Sequence, residues 1–458
     1  MVPRIVIAGI SSSVGKTTVT VGLARALRAR GLRVAVFKCG PDYLDPTYHA
    51  RAADAPCHNL DGWMMGREAV VATFAHASRG ADIALLEGVM GLFDGASPMG
   101  EEGSTAEVAK WLKAPVLLVC DASGMARSIA ALARGFAAFD ADLELAGVIC
   151  NRIGSRSHLD LLRKATGGAP PIMGGLPKEE ALAFPERHLG LHTADRGAVP
   201  DSLLSAWGER VAEWFDLETI LALARTAQPL AESPTTDRTV VEGVDCRIGL
   251  AFDEAFHFYY EDNLRRLENL GAEIVRFSPV RDSRLPDVDG LYFGGGYPEV
   301  HAEALSQNTP MLKDVAAFAA NGGPVYAECG GLMYLSTGIR TLGGHLYPMA
   351  GLIPGEAVMC ERLQSMGYVE VETQERSVLG PAGLRFRGHQ FRYSELRGAS
   401  DDLDRVYTVR RRRSGEVLRE GYRAGSILAS YVHAHWASNP LVAEGFLQAC
   451  TSHGKRAR

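Results

Sequence analysis

Apolar and polar positions along the chain fall into two series. In the first, short and almost continuously apolar runs recur as RIVIAGI (Arg4–Ile10), LRVAVF (Leu32–Phe37), DIALLEG (Asp82–Gly88), PVLLVCD (Pro115–Asp121) and LAGVICN (Leu145–Asn151). Helical patterns separate them, the first over Lys16–Arg30. Strands apolar on both faces, alternating with helices, predict a parallel sheet covered on each side. The pattern stops between about Ala227 and Asp245, where QPLAESPTTDRT is rich in Pro, Ser and Thr and reads as an interdomain linker. A second series begins with RIGLAF (Arg247–Phe252) and continues through AEIVRF (Ala272–Phe277), GLYFGGG (Gly290–Gly296) and PVYAECG (Pro324–Gly330). Helices are predicted over Tyr260–Leu270 and Ala302–Ala320, and after Gly351 the alternation predicts an antiparallel extension. The basic end SHGKRAR predicts a frayed, solvated tail.

Composition narrows the class. The 458 residues are 47% hydrophobic and 22% charged, ordinary for a globular chain of two or three domains. A net charge of −6 offers no global attraction to nucleic acid or to an anionic membrane. No segment has the roughly 20 apolar residues of a membrane span. Ile5–Ile10 lacks the length and cleavage site of a signal peptide. The eight cysteines include no CxxC pair, which argues against disulfide scaffolds and zinc ribbons and fits a cytoplasmic setting.

Two segments carry chemistry. GISSSVGKTT (Gly9–Thr18) follows a strand and opens a helix, the context of a phosphate-binding loop. Five residues separate Gly9 from Gly15, one more than in the usual spacing. Backbone and side chains of Ser12, Ser13, Val14, Gly15, Lys16, Thr17 and Thr18 are candidates for phosphate contact, with Thr17 also a Mg²⁺ ligand. Asp42 and Glu87 end strands at the same sheet edge and are the further metal candidates, with Asp94 nearby. In the second half, YAECGGLMYL (Tyr326–Leu335) sets Cys329 on a strand-to-helix turn, where helix N–H groups favour thiolate. FGGGYPE (Phe293–Glu299) offers backbone amides for an oxyanion hole, and SYVHAHW (Ser430–Trp436) offers His433 or His435 as a base.

With GGGYPE, AECGGLMYL and YVHAHW, the second half resembles a class I glutamine amidotransferase domain of the cobyric-acid-synthase type. Through GISSSVGKTT, GPDYLDPTYH, LLEGVMGLFDG and GVICNRIGS, the first resembles a dethiobiotin-synthetase-like ATPase. Together with PERHLGL (Pro185–Leu191) and RGHQFRYS (Arg387–Ser394), they resemble the cobyrinate a,c-diamide synthase family over nearly the whole chain. The resemblance implies an α/β protein of two domains. These are an ATP-binding amidoligase with a P-loop-type parallel sheet over 1–226 and a glutamine amidotransferase-like α/β domain over 246–445, joined by a linker at 227–245 and followed by a basic tail at 446–458.

The implied reaction is ATP- and glutamine-dependent amidation of the a and c carboxylates of cobyrinate. Hydrogenobyrinate and nickel-sirohydrochlorin remain alternative acceptors. By the same resemblance Cys329 is the nucleophile, His433 its base, and Gly295 or Gly296 with Gly330 forms the oxyanion hole. His433 is chosen over His435 because related domains keep a histidine two residues after a tyrosine, as in Tyr431-Val432-His433. Many class I domains carry Glu two residues after the base; here that place is His435, which suggests a Cys–His dyad. Asp42, Tyr43, Leu44, Asp45, Glu87 and Asp94 match family positions around ATP and the corrinoid, and Asn151 is a candidate for adenine. Arg387, His389, Arg392 and Arg362 are candidate contacts for a polycarboxylate, with ordinary surface ion pairs as the alternative. The expected partners are tetrapyrrole, ATP and glutamine, with neither nucleic acid nor membrane, and a homodimer is one option for the assembly. A partitioning-type ATPase switch is the rival class, but such proteins usually carry a second lysine where Ile10, Ser11, Ser12 and Ser13 stand here. A synthetase with a degenerate regulatory second half is the other alternative.

Overall fold

The computed structural model describes residues 2–167, 170–179, 199–230, 245–400 and 402–457. PERHLGL and most of the expected linker, residues 231–244, lie outside them. The chain divides into two compact units, Met1–Thr236 and Asp237–Arg458.

The first unit is built on a seven-stranded sheet. Its strands are β1 (Arg4–Gly9), β2 (Val34–Cys39), β3 (Cys57–Leu60), β4 (Ile83–Glu87), β5 (Val116–Asp121), β6 (Leu145–Ile153) and β7 (Ile172–Pro177). Their order is β3-β2-β4-β1-β5-β6-β7, with every neighbouring pair parallel. The five apolar runs of the sequence are the five inner strands. The outer two escape the pattern for physical reasons: β3 is four residues with His58 and Asn59 at its centre, and β7 holds Gly174 and Gly175. The helix Lys16–Ala29 buries Val19, Leu23, Ala26 and Leu27 against the sheet, one stripe at helical spacing. The chain builds outward from β1 to β3, turns back with β4 and continues through β5 on the other side of β1, so the connections leaving the neighbours β1 and β5 run in opposite directions.

The second unit begins with β8 (Cys246–Ala251), β9 (Ala272–Phe277), β10 (Gly290–Phe293) and β11 (Val325–Glu328), all in parallel contacts. The expected helix over Ala302–Ala320 is two helices, Ala302–Gln307 and Thr309–Ala320. Pro310 lacks an N–H and restricts the residue before it, which breaks the helix at Asn308. The antiparallel extension follows as β12 (Ser336–Arg340), β13 (Leu346–Pro348), β14 (Ile353–Met359), β15 (Ser365–Thr373), β16 (Arg385–Arg392), β17 (Ser394–Arg397), β18 (Asp404–Arg411), β19 (Val417–Ala424), β20 (Ile427–Ser430) and β21 (His433–His435). Of these, β13-β12-β14-β17 form a small separate sheet, in which the β12–β14 pairing is parallel.

The large sheet has the order β21-β16-β15-β18-β19-β20-β11-β10-β8-β9. Four strands stand between β20 and β21, yet only Tyr431 and Val432 join them in the chain. In a flat sheet five strand spacings cover about 24 Å, whereas three residue steps span at most about 10 Å. The sheet therefore curls, and its edge strand β21 returns beside β11. The carboxyl end is a correction to the expected frayed tail. A helix runs over Leu441–Ala457, burying Val442, Phe446 and Cys450 at four-residue spacing, with Gly454 packed against Asp289. That apolar stripe outweighs the basic residues between and after it.

Candidate active sites

In the first unit the loop after β1 turns into the helix Lys16–Ala29 through Gly15, whose φ of 94° is left-handed. A Cβ there would lie 2.0 Å from Asn151 Nδ2, so both backbone and space require glycine. Asn151, on β6, donates Nδ2 to the Val14 carbonyl at 2.8 Å, and Arg152 donates to the Ser13 carbonyl at 3.0 Å. Lys16 Nζ lies within the loop, donating to the carbonyls of Ser11 (3.0 Å) and Met90 (2.6 Å). Burial, then repulsion from Lys38, lowers its pKa. Ser12 and Ser13 are exposed beside it, while Val14 is buried.

Beneath the loop lies a buried ionic cluster that the sequence reading missed. Lys38, on β2, sits 2.6 Å from Asp45 Oδ2 and 2.7 Å from Glu87 Oε1. His49 Nε2 lies 2.7 Å from Glu87 Oε2, and Thr17 donates its hydroxyl to Glu87 Oε1 at 3.0 Å. Burial opposes ionisation of Glu87, but the Lys38 charge and His49 outweigh it and its pKa falls. Burial likewise opposes a charged Lys38, and Asp45, Glu87 and Asp42 reverse the balance. The signal was available in the charge of Lys38 at the end of an otherwise apolar strand, in KCGPD.

Asp42 Oδ1 accepts the N–H groups of Leu44 (2.7 Å) and Asp45 (3.3 Å), shaping the turn into the helix Asp45–Ala53. Burial, then the nearby Asp45, pushes Asp42 up to about 6. Asp94 Oδ2 accepts the Gly91 N–H at 2.9 Å and shapes the loop that meets Lys16. Asp45 departs from the expectation of a substrate contact: it is buried and held by Lys38. Asn151 likewise braces the phosphate loop from behind.

In the second unit Cys329 directly follows β11 with φ 46° and ψ −97°, a strained elbow ahead of the helix Gly330–Leu335. Its N–H is anchored on the Ser430 carbonyl at 2.7 Å, and Sγ lies 3.9 Å from the Phe391 carbonyl. Burial, with Glu299 next, pushes the thiol up to about 12 against Arg392 and the Gly330 N–H. His433 stands opposite His389 across the β21–β16 pair. Burial, then His389, holds it down to about 3. Burial thus works against the charged form of each side chain.

Gly295 passes under the imidazole: a Cβ on it would meet His433 Cε1 at 2.4 Å. The Gly295 carbonyl accepts the N–H groups of His257 and Phe258, each at 3.1 Å. Since N–H and C=O of one trans peptide point in opposite directions, the Gly296 N–H is turned the other way. Gly330 lies close to it, for a Cβ on Gly330 would be 3.1 Å from Gly296 N. The Gly294 carbonyl accepts the Gly331 N–H at 3.0 Å, which turns the Gly295 N–H away from that helix. Of the two glycines, Gly296 is the one whose N–H points away from His257 and Phe258 and lies near Gly330.

Arg392 lies over the Tyr431 ring at 4.4 Å and acts electrostatically on Cys329. His389 faces His433, while Arg387 is half-exposed and 3.7 Å from Glu370. His435 points elsewhere: its ring lies 4.7 Å from that of Tyr260 and Nδ1 accepts the Ala437 N–H at 3.3 Å.

The two units match two different known domains. Residues 5–191 match the CobQ/CobB/MinD/ParA nucleotide binding domain, and residues 247–441 the CobB/CobQ-like glutamine amidotransferase domain. A cobyrinate a,c-diamide synthase of Leptospira interrogans is 53% identical over 98% of both chains. One from Syntrophotalea carbinolica is 50% identical over 98% of both. One from Dehalococcoides mccartyi is 44% identical over 97% of this chain and 98% of its own. The chain belongs to the cobyrinate a,c-diamide synthase family.

For a member of the cobyrinate a,c-diamide synthase family, the nucleotide binding and amidotransferase domains coincide with the two geometries above. All eight cysteines are free, and Cys329 alone occupies an elbow. No helix among the described residues is long and apolar enough to cross a membrane.

Proposed function

We propose that the protein is a glutamine-hydrolysing ligase that uses ATP to amidate the a and c carboxylates of cobyrinate. One observation carries the reading: a single chain holds both a phosphate loop over a buried ion-paired lysine and a strained cysteine elbow whose preceding residue, Glu328, lies 3.9 Å from His433. Family membership supplies the acceptor.

At Cys329 the proton passes to His433 as sulfur attacks the side-chain amide carbon of glutamine. The oxyanion is met by the N–H groups of Gly296 and Gly330. His433 returns the proton to the departing nitrogen, giving ammonia and a thioester. Water then attacks the thioester, releases glutamate and restores the thiol. Arg392, a cation beside the cysteine, suits the α-carboxylate of glutamine better than a corrinoid carboxylate.

In the first unit the acceptor carboxylate attacks the γ-phosphorus of ATP and ADP departs. Ammonia then displaces phosphate from the acyl phosphate to leave the amide. Lys16, whose Nζ lies within the loop, brings positive charge to the transferring phosphoryl group. Thr17, Asp42 and Glu87 present the hard oxygen donors that Mg²⁺ prefers, and the contact between Thr17 and Glu87 fits a shared ligand set. When bound with the nucleotide, Mg²⁺ would neutralise charge on the phosphate oxygens.

The test supplies cobyrinate, hydrogenobyrinate or nickel-sirohydrochlorin with ATP and glutamine and counts carboxylate-to-amide conversions by mass spectrometry. Two conversions on cobyrinate are expected. Reaction of the nickel compound alone would overturn the choice of acceptor. ATP turnover that needs DNA or membrane and ignores every tetrapyrrole would revive the ATPase switch.

A further inference from the structure

The residue immediately before the nucleophile is an acid with no exposed surface to speak of. Glu328 is 1% exposed. Tyr326 and Glu328 share one face of β11, and Tyr292 stands beside Tyr326 on β10. Oε1 accepts the Tyr326 hydroxyl at 2.8 Å and the Ala434 N–H at 3.1 Å. Oε2 accepts the Tyr292 hydroxyl at 3.2 Å and lies 3.9 Å from His433 Nδ1.

We propose that Glu328 is the positioning carboxylate of His433, so that the third member of the catalytic group comes from the nucleophile strand rather than from two residues after the base. Three features argue for it. The Ala434 amide can only donate, so Oε1 must accept and the carboxyl plane is fixed. That makes Oε2 the oxygen 3.9 Å from His433 Nδ1, one short movement from a hydrogen bond. Ala434 follows His433 in the chain, so the acid that anchors the backbone beside the base also lies next to its ring. An acceptor at Nδ1 keeps the proton on that nitrogen and leaves Nε2 able to take the thiol proton. Burial pushes Glu328 up to about 8 despite its three donors. Positive charge appearing on His433 favours the ionised acid at the moment it is needed. His435, which holds the place of the usual glutamate, is committed to Tyr260 and the turn at Ala437.

This rests on the amidotransferase reading, and its test is chosen to stand apart from the identity of the acceptor. Glutamate release from glutamine is measured with ATP but no tetrapyrrole, for the wild type, Glu328→Gln, Glu328→Asp and Tyr326→Phe. Glu328→Gln should lower kcat about 10²- to 10⁴-fold with KM for glutamine within about 3-fold. Glu328→Asp should recover part of the lost rate. Tyr326→Phe should cost less, since it removes one donor and leaves the acid in place. An unchanged kcat for glutamate release, or a loss confined to KM, would overturn the proposal. Nitrogen-15 NMR of His433 in the wild type decides the matter even if the variants fail to fold. A proton on Nδ1 is expected above pH 8, where Glu328 is ionised, and an Nε2–H tautomer there would overturn the proposal.

Discussion

The ammonium of Lys38 lies 2.7 Å from Glu87 Oε1, with both side chains closed off from solvent. An ion pair in that setting is a liability if broken, because the surviving partner keeps a charge it cannot solvate. Asp45 and His49 complete the cluster, so the cation rests among two acids and an imidazole directly beneath the phosphate loop. Its geometry decides which residues of KCGPDYLDP face inward and which remain for a ligand.

Replacing Lys38 with Ala should destabilise the first unit by about 3–5 kcal/mol, measured by thermal unfolding of the full chain. The pH dependence should change sign as well. In the wild type the Glu87 pKa is held below its ordinary 4.5. Its contribution is therefore present above that value and is lost as pH falls through the folded pKa. Without Lys38, burial raises Glu87 instead, so the variant should lose stability as pH rises. Equal stability at pH 5 and pH 8 in the variant would refute this.

The proposed division of labour separates two substitutions. Cys329→Ala should abolish glutamine-driven amidation and leave the ammonium-driven rate intact. Lys16→Ala should abolish both, because the phosphoryl step precedes either nitrogen source. A folded Cys329→Ala protein inactive with ammonium salt would contradict the assignment.

Asn151 braces Gly15 and Val14, so Asn151→Ala should loosen the phosphate loop. We expect KM for ATP to rise about 10-fold, with the preference for ATP over GTP retained; each tenfold step corresponds to about 1.4 kcal/mol. Steady-state kinetics with both nucleotides checks this. Collapse of the preference would instead make Asn151 a reader of adenine.

Gly296 has φ 153°, and a Cβ there would sit 2.0 Å from the Ala255 carbonyl oxygen. Gly296→Ala should displace the proposed oxyanion donor and cut glutamine hydrolysis about 10²- to 10³-fold. Ammonium-driven amidation should be spared. The ratio of the two rates, measured on one preparation, is the readout.

Much of the molecule was legible because its signals are local. The inner strands of the first sheet are buried on both faces and read as unbroken apolar runs, and GKTT and AECGG announce turns by residue type. The short strand β3 and the glycine-bearing β7 carried no such signal. Nor did the break at Asn308, where an apolar helical period runs straight through Pro310. The tail misled because charge was weighed while the stripe Val442, Phe446, Cys450 and Gly454 was not.

By itself the sequence determined the two-part organisation, the phosphate loop, the cysteine elbow and the family, since each is written in contiguous residues whose backbone preferences act locally. Which groups meet across the chain was decided only by tertiary structure. Lys38 finds Asp45 and Glu87 because β2 and β4 are neighbours in a parallel sheet. Glu328, next to Cys329, meets Ala434 and approaches His433 because a ten-stranded sheet curls until its edge strand lies beside β11. No periodicity encodes that closure; it follows from a two-residue connection too short to cross a flat sheet.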